Sequence, residues 1–554
     1  MLGRGRLLRP SRRRLSSALP PSAPLAPLPS RPVLVTTPVF YVNGAPHIGH
    51  LYSALLADAL SRWYALRGAE VKLVTGTDEH GLKVQQAAEA AGQGAPEFCA
   101  AVSAEFRALF DEAGVGYDDF VRTTEARHGA AVAALWERLA DAGQLRLGSH
   151  EGWYCVADEA FVPESQLALA EDGTRVSAES GRPVEWLSER NYTFDFGAQR
   201  EGVARWLQSQ VAEGGGAGRV APASLNAFAL KSAGSTPAKI SVSRPSQRVR
   251  WGVPVPGDEE HTVYVWLDAL ANYLTAAGFP WPPGEQPAEW PPTHQIVGKD
   301  ILRFHAVYWP AFLLASGLEP PERISAHAHW TVDKSKMSKT AGNIVDPVAA
   351  LRHYGVDGLR YFLLKEGSLR KDSDFSHANV AAVCNADLAD TLGNLLLRAT
   401  APKLLPSQRV PHAPPADGVR AASAADLALL ASVAALPAQV DALYRDLNMA
   451  AALDAIGVVL RATNAHFQAA EPWRLRKSEP ERAEAVLFSA LESVRVCALL
   501  LQPAVPLAAG RLLDMLGVPD EDAHRGAHAM QLGHGAGRAL GAPTVLFEKL
   551  EPLE

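Results

Sequence analysis

The hydrophobic pattern opens with "PVLVTT" (32–37) and "EVKLVTGT" (70–77), two β-branched and nearly continuous apolar runs, as buried parallel strands require. Between them "HLYSALLADALSRWYALRG" (50–68) has helical spacing and stops at Gly68. Strand, helix, strand begins a doubly wound α/β sheet. Strand-like runs return at "HQIVGKD" (294–300) and "RISAHAHWTV" (323–332). The segment between them, "DILRFHAVYWPAFLLASG", puts Ile301, Phe304, His305, Tyr308 and Phe312 on one helical face, so it predicts a helix packed on the sheet. Around 145–250 the pattern loosens into short strands and a Gly/Ala/Ser-rich stretch, "AEGGGAGRVAPASLNAFALKSAGSTP", which reads as an insertion with one flexible loop. From about Val383 to Pro503 the chain is Ala/Leu-rich and helical in period, which predicts an all-α bundle. The tail "GAPTVLFEKLE" adds a short strand or packs on the surface.

Composition sets bounds on this picture. A chain of 554 residues, 47% hydrophobic and 20% charged, is too long for one core and reads as globular. No uninterrupted apolar run of about 18 residues occurs, so no membrane association is expected. The net charge of −7 confines any nucleic-acid surface to a local basic patch. Cys99, Cys155, Cys384 and Cys497 lie far apart with no C-x-x-C, against both a disulfide framework and a cysteine zinc site. The first thirty residues are Arg-, Ser- and Pro-rich, and no acidic residue precedes Asp58. That leader resembles a mitochondrial transit peptide, with a disordered basic tail as the alternative. The expected organisation is 1–30 leader, 31–382 Rossmann-like catalytic domain with its insertion at about 145–250, and 383–554 helical domain with a short tail.

The chemistry sits at strand ends. "YVNGAPHIGH" (41–50) follows the first strand and leads into a helix, where backbone N–H groups and the positive end of the dipole attract anions. His47 and His50 can donate hydrogen bonds there, and Gly49 leaves room for a base or sugar; two half-exposed helix-start histidines are the bland alternative. "VDKSKMSKTAGN" (332–343) has Lys336 and Lys339 flanking Met337 and Ser338. Such close lysines repel unless an anion lies between them, although a solvated loop also fits.

Together these stretches resemble the signatures H-I-G-H and K-M-S-K-S of class I aminoacyl-tRNA synthetases, with Thr340 replacing the final Ser. The resemblance implies that His47, Gly49 and His50 bind ATP, entering with Mg2+, and that Lys336, Met337, Ser338 and Lys339 close over its phosphates. Amino-acid carboxylate attack on the α-phosphate then needs positioning and charge stabilisation, not a protein base. "TTPVFYVNG", "VTGTDEHG" and "YVWLDALANY" further resemble the methionyl members of that class, from about Pro32 to Trp473. That likeness implies Asp78 for the substrate ammonium, and Tyr41, Trp266, Ala269, Leu270, Tyr273, Ile301 and His305 around the thioether, although each could be ordinary core.

The insertion is too short for the hydrolytic editing domain of the branched-chain relatives. Cys155 stands without cysteine neighbours, so no structural zinc is expected. In the helical part Asn394 and Arg398 share a face, and Trp473 sits among Arg474, Arg476 and Lys477, a pattern suited to stacking an unpaired base. The resemblance assigns Asn394, Arg398 and Trp473 to the anticodon. It implies methionine, ATP and tRNA-Met as partners; no appended tRNA-binding, dimer-forming module follows the bundle, so a monomer is expected, and the leader points to the mitochondrial matrix. A small-substrate nucleotidyltransferase and a catalytically dead tRNA-binding paralogue are the competing readings.

Overall fold

The computed structural model describes residues 19–156, 160–162, 164–170, 172–178, 180–210, 218–282, 284–332, 334–336, 345–415 and 422–553. Its centre is a six-stranded parallel sheet, ordered 119–122, 71–78, 33–41, 294–298, 324–327 and 220–221. The chain starts in strand Val33–Tyr41 and winds outward both ways, so the topological switch point lies between that strand and His294–Gly298. Pro38 cannot donate to the ladder, and the pairing with Val71–Asp78 shifts register between Thr36 and Val39. After the shift Tyr41 stands opposite Asp78. A backbone irregularity thus brings two candidate site residues together at the carboxyl end of the sheet.

Two sheet members escape the periodic reading, Asp119–Arg122 and Val220–Ala221, because each is too short to show one. The stretch 323–332 is not one strand. Ile324–His327 belongs to the main sheet, whereas Trp330–Val332 pairs with Ser335–Lys336 and Ser373–Asp374. The helix expected over 300–317 is also interrupted: a 3₁₀ turn Lys299–Ile301 and a π-turn Phe304–Tyr308 precede the α-helix Trp309–Ala315. Pro310 has no N–H for the α-helical bond to the carbonyl four residues back. The turn just before it widens, so that Trp309 N–H reaches Phe304 O.

The second part of the Gly/Ala/Ser-rich stretch is regular structure. Residues 211–217 lie outside the described residues, but 220–221 rejoin the main sheet and Ala223–Ser235 is a helix. Ala favours a helix, while the small buried face of Ala229, Ser232 and Ala233 conceals the amphipathic pattern. The insertion proper is built on the long antiparallel pair Leu145–Cys155 and Glu185–Asp195.

A helical run His377–Ala399 crosses residue 383 and leads to the bundle helices Ala424–Arg445, Met449–Ala470 and Pro480–Leu501. The tail forms no strand; it packs back, Leu550 N–H donating to Asn385 Oδ1 (2.8 Å) and Leu553 N–H to the Tyr354 hydroxyl (2.8 Å).

The helix that begins at the histidine signature, Ile48–Leu66, is gripped along its second half. Trp63 Nε1–H (2.9 Å) and an Arg67 N–H (2.8 Å) donate to Asp441 Oδ1 in the bundle, whose Oδ2 accepts from Ala26 N–H (3.2 Å). Arg31 pairs with Glu322 (2.7 Å) and donates to Glu289 O (2.8 Å), so residues 19–31 run along the seam between sheet and bundle. Arg360, fully buried, pairs with Asp58 of the signature helix and donates to Pro503 O (2.9 Å), Ala504 O (3.2 Å) and Ala113 O (3.3 Å). Burial works against the Asp58 charge, but Arg360 and Arg62 hold its carboxyl below the usual range. Arg360→Ala removes the fully buried partner and leaves that carboxylate only Arg62 (2.7 Å) and the Gly116 N–H (2.8 Å), so it is expected to cost about 3 kcal/mol of unfolding free energy in a urea titration; a cost near zero contradicts this bracing role.

Candidate active site

His47 caps the signature helix. Gly49 N–H donates to His47 Nδ1 (3.0 Å), while His47 N–H donates to His50 Nδ1 (3.2 Å), a reciprocal capping box built from two imidazoles. Their rings stack with centroids 3.8 Å apart. A Cβ on Gly49 would lie 2.9 Å from His47 Cε1, so the room a glycine leaves here is taken first by the histidine ring. With Nδ1 accepting, each neutral ring carries its proton on Nε2 as a donor. Burial, then the neighbouring His47, pushes His50 well below the usual histidine range. The pair is therefore a set of neutral hydrogen-bond donors at a helix N-terminus, suited to phosphate oxygens.

A cavity of about 740 Å3 opens over this pair at the switch point. Tyr41 and Asp78 line it from adjacent strand ends. Trp266, Ala269, Leu270 and Tyr273 line it from the helices Val265–Leu270 and Asn272–Ala276, and Ile301 and His305 from the interrupted helix. His305 Nδ1–H donates to Ile301 O (2.9 Å), so its Nε2 accepts from the Tyr273 hydroxyl (2.7 Å). With that hydroxyl proton engaged, the wall offers mainly shape and dispersion.

Every predicted residue of the histidine signature and of the amino-acid side thus borders one cavity. The lysine signature is only partly described. Lys336 pairs through its backbone with Thr331 in the strand that begins at Trp330, itself a lining residue. The Lys336 side chain, Met337, Ser338 and Lys339 lie outside the described residues.

Sequence reasoning missed Phe304 as a lining residue; its ring stacks on Trp266 with centroids 3.7 Å apart and planes within 7°. It also missed His327, whose Nε2 lies 2.7 Å from Ser53 Oγ beside the signature. Neither pairing carries a local signal.

Burial holds His305 and His327 down to about 4 and His294 to about 3. Between these values and the ordinary 6.5, the unfolded chain binds protons that the folded chain excludes. Stability therefore rises with pH across that window and is lost as pH falls through it. The urea midpoint is expected to drop steadily from about pH 6.5 to 4.5; a constant midpoint contradicts this.

Far from the cavity in sequence, the Arg398 guanidinium lies 5.2 Å from the Phe467 ring centroid and 5.9 Å from that of Trp473, and donates to Gln468 Oε1 (2.9 Å). Asn394 is one turn away and donates to Asp390 Oδ1 (3.3 Å). Trp473 is 38% exposed, so an aromatic face and a cation present themselves side by side. Among the described residues, no three His, Cys, Asp or Glu side chains gather closely enough to hold a metal ion.

Comparison with known proteins agrees with this geometry. The model described as "tRNA synthetases class I (M)" matches residues 33–400, and "Anticodon binding domain of methionyl tRNA ligase" matches 415–553. The mitochondrial methionine–tRNA ligase of Homo sapiens is 46% identical over 542 residues, covering 93% of this chain and 90% of that protein. That of Xenopus laevis is 46% identical over 497 residues, 88% of this chain and 86% of its own length. The solved Mycobacterium tuberculosis methionyl-tRNA synthetase in complex with methionyl-adenylate superposes with a TM-score of 0.85 at 39% identity, covering 93% of this chain and 99% of that one. Switch-point cavity, paired imidazoles and length-spanning similarity converge, and the chain belongs to the class I methionyl-tRNA synthetase family.

Proposed function

We propose that this chain activates methionine with ATP, entering as its Mg2+ complex, to methionyl-adenylate, and transfers the methionyl group to the 3′ end of tRNA-Met in the mitochondrial matrix. The observation that carries this reading is the single cavity shared by the paired imidazoles, Asp78 and the wall of Trp266, Tyr273 and His305. In it His47 and His50 donate Nε2–H bonds to the ATP phosphates, with Gly49 keeping the approach close. Lys336 and Lys339, with Met337 and Ser338 between them, close over the same phosphates. Asp78 takes the ammonium, and Tyr41, Trp266, Ala269, Leu270, Tyr273, Ile301 and His305 enclose the side chain. Mg2+ arrives on the phosphates, since hard cations of this kind are commonly held by one or two carboxylates and the nucleotide itself.

Residues 31–382 carry out activation, residues 383–554 present Asn394, Arg398 and Trp473 to the anticodon, and the leader directs import. The protein acts as a monomer. It needs no membrane: the apolar helices His377–Ala399 and Ala424–Arg445 are long enough to span one, but half of each apolar window is buried in the chain's own core. The insertion folds without structural zinc, so metal analysis after dialysis is expected to find far less than one zinc per chain; stoichiometric zinc contradicts this. The test of the whole reading is charging: the protein with ATP and labelled methionine is expected to load tRNA-Met and leave tRNAs with other anticodons unloaded. Failure to load tRNA-Met overturns it.

A further inference from the structure

Behind the cavity wall, and absent from the roles above, sits a carboxylate with two imidazoles. Asp268 is completely buried on the helix Val265–Leu270, between the lining residues Trp266 and Ala269. Its Oδ2 accepts from His80 Nδ1–H (2.7 Å) and its Oδ1 from His128 Nε2–H (2.7 Å). Burial works against its charge, yet the two histidines hold its carboxyl down to about 2.

The two arms run to different elements of the cavity wall. His80 lies two residues beyond Asp78, on a loop whose other buried acid, Glu79, is fixed by Arg122 (2.7 and 3.0 Å). His128, from the helix Ala126–Asp141, places Nδ1 2.9 Å from Thr275 Oγ1, two residues beyond Tyr273. The carboxylate therefore ties the loop bearing Asp78 directly to its own helix, Val265–Leu270, and through His128 and Thr275 to the helix that carries Tyr273.

We propose that Asp268 is a specificity-determining positioning residue: by gripping His80 with one oxygen and His128 with the other, it sets the span between Asp78 and the Trp266–Tyr273 wall, and hence the side-chain length that is activated. The inference rests on the methionine-activating reading above. Chemistry requires such a ruler because an apolar pocket alone separates substrates differing by one methylene by only about 1–3 kcal/mol. Loss of an ångström in registration costs a comparable or larger factor.

The test is ATP–pyrophosphate exchange by Asp268→Asn with methionine, with ethionine (one methylene longer) and with S-methylcysteine (one shorter), wild type alongside. The variant is expected to raise the methionine KM about tenfold, leave the ATP KM within about twofold, and shrink the preference for methionine over ethionine about fivefold. A merely structural role lowers only the fraction of active enzyme in a burst titration; methionine KM and substrate preference then stay at wild-type values, and that result overturns the inference. Should Asp268→Asn not fold, His128→Gln is expected to move KM and preference in the same direction by a smaller factor, and wild-type values there overturn it equally. Wild-type protein that does not exchange with methionine strikes the activity itself, a failure distinct from an unchanged preference in the variants.

Discussion

Replacing Lys336 by alanine is expected to slow methionyl-adenylate formation about 10²–10³-fold, while methionine affinity changes less than about threefold. The asymmetry follows from where charge develops. As the carboxylate attacks, negative charge builds on the α-phosphate and on departing pyrophosphate, whereas free methionine places no new charge near the phosphates. The histidine pair is not set up to meet that demand as cations, since each Nδ1 accepts a backbone N–H and burial pushes His50 well below the usual histidine range. Fixed positive charge must come from elsewhere, and Lys336 leaves the hairpin that starts at the cavity-lining Trp330. Pre-steady-state adenylate formation and equilibrium methionine binding separate the two effects. Equal losses in both place Lys336 in ground-state binding and remove it from the reacting phosphates.

Trp473→Ala is expected to reduce kcat/KM for tRNA charging about 10- to 100-fold, and to leave exchange without tRNA unchanged. Stacking one unpaired base on an indole is worth about 1–3 kcal/mol, and here removal of the ring also deprives the Arg398 guanidinium of one of its two aromatic neighbours. The ring is also one edge of the bundle surface, since it tilts against Phe467 with centroids 6.2 Å apart. Simultaneous collapse of charging and exchange assigns it to packing instead.

What the chain disclosed by itself follows a physical divide. Val33–Tyr41 and Val71–Asp78 are legible because strands buried on both faces favour apolar and β-branched residues in close succession, and Ile48–Leu66 because it is long and periodic. Asp119–Arg122 offers two buried residues in four, and Val220–Ala221 only two in all, too few for any period. Ala223–Ser235 hid its buried face among small residues. The break before Trp309–Ala315 was in principle readable from Pro310, but the apolar spacing around it argued for continuity. At the site, motifs contiguous in sequence were legible, because signature and role coincide within a turn. Contacts made across the fold were not. Phe304 over Trp266 and His80 on Asp268, the latter 188 residues apart, have no periodicity, and a buried polar cluster is defined only by its partners.

The measurement that bears most directly on the account is amino-acid-dependent exchange of labelled pyrophosphate into ATP, run separately with each of the twenty amino acids and without tRNA. The cavity described here predicts rapid exchange with methionine and background rates with all others. Exchange with a different amino acid, or with none, contradicts it.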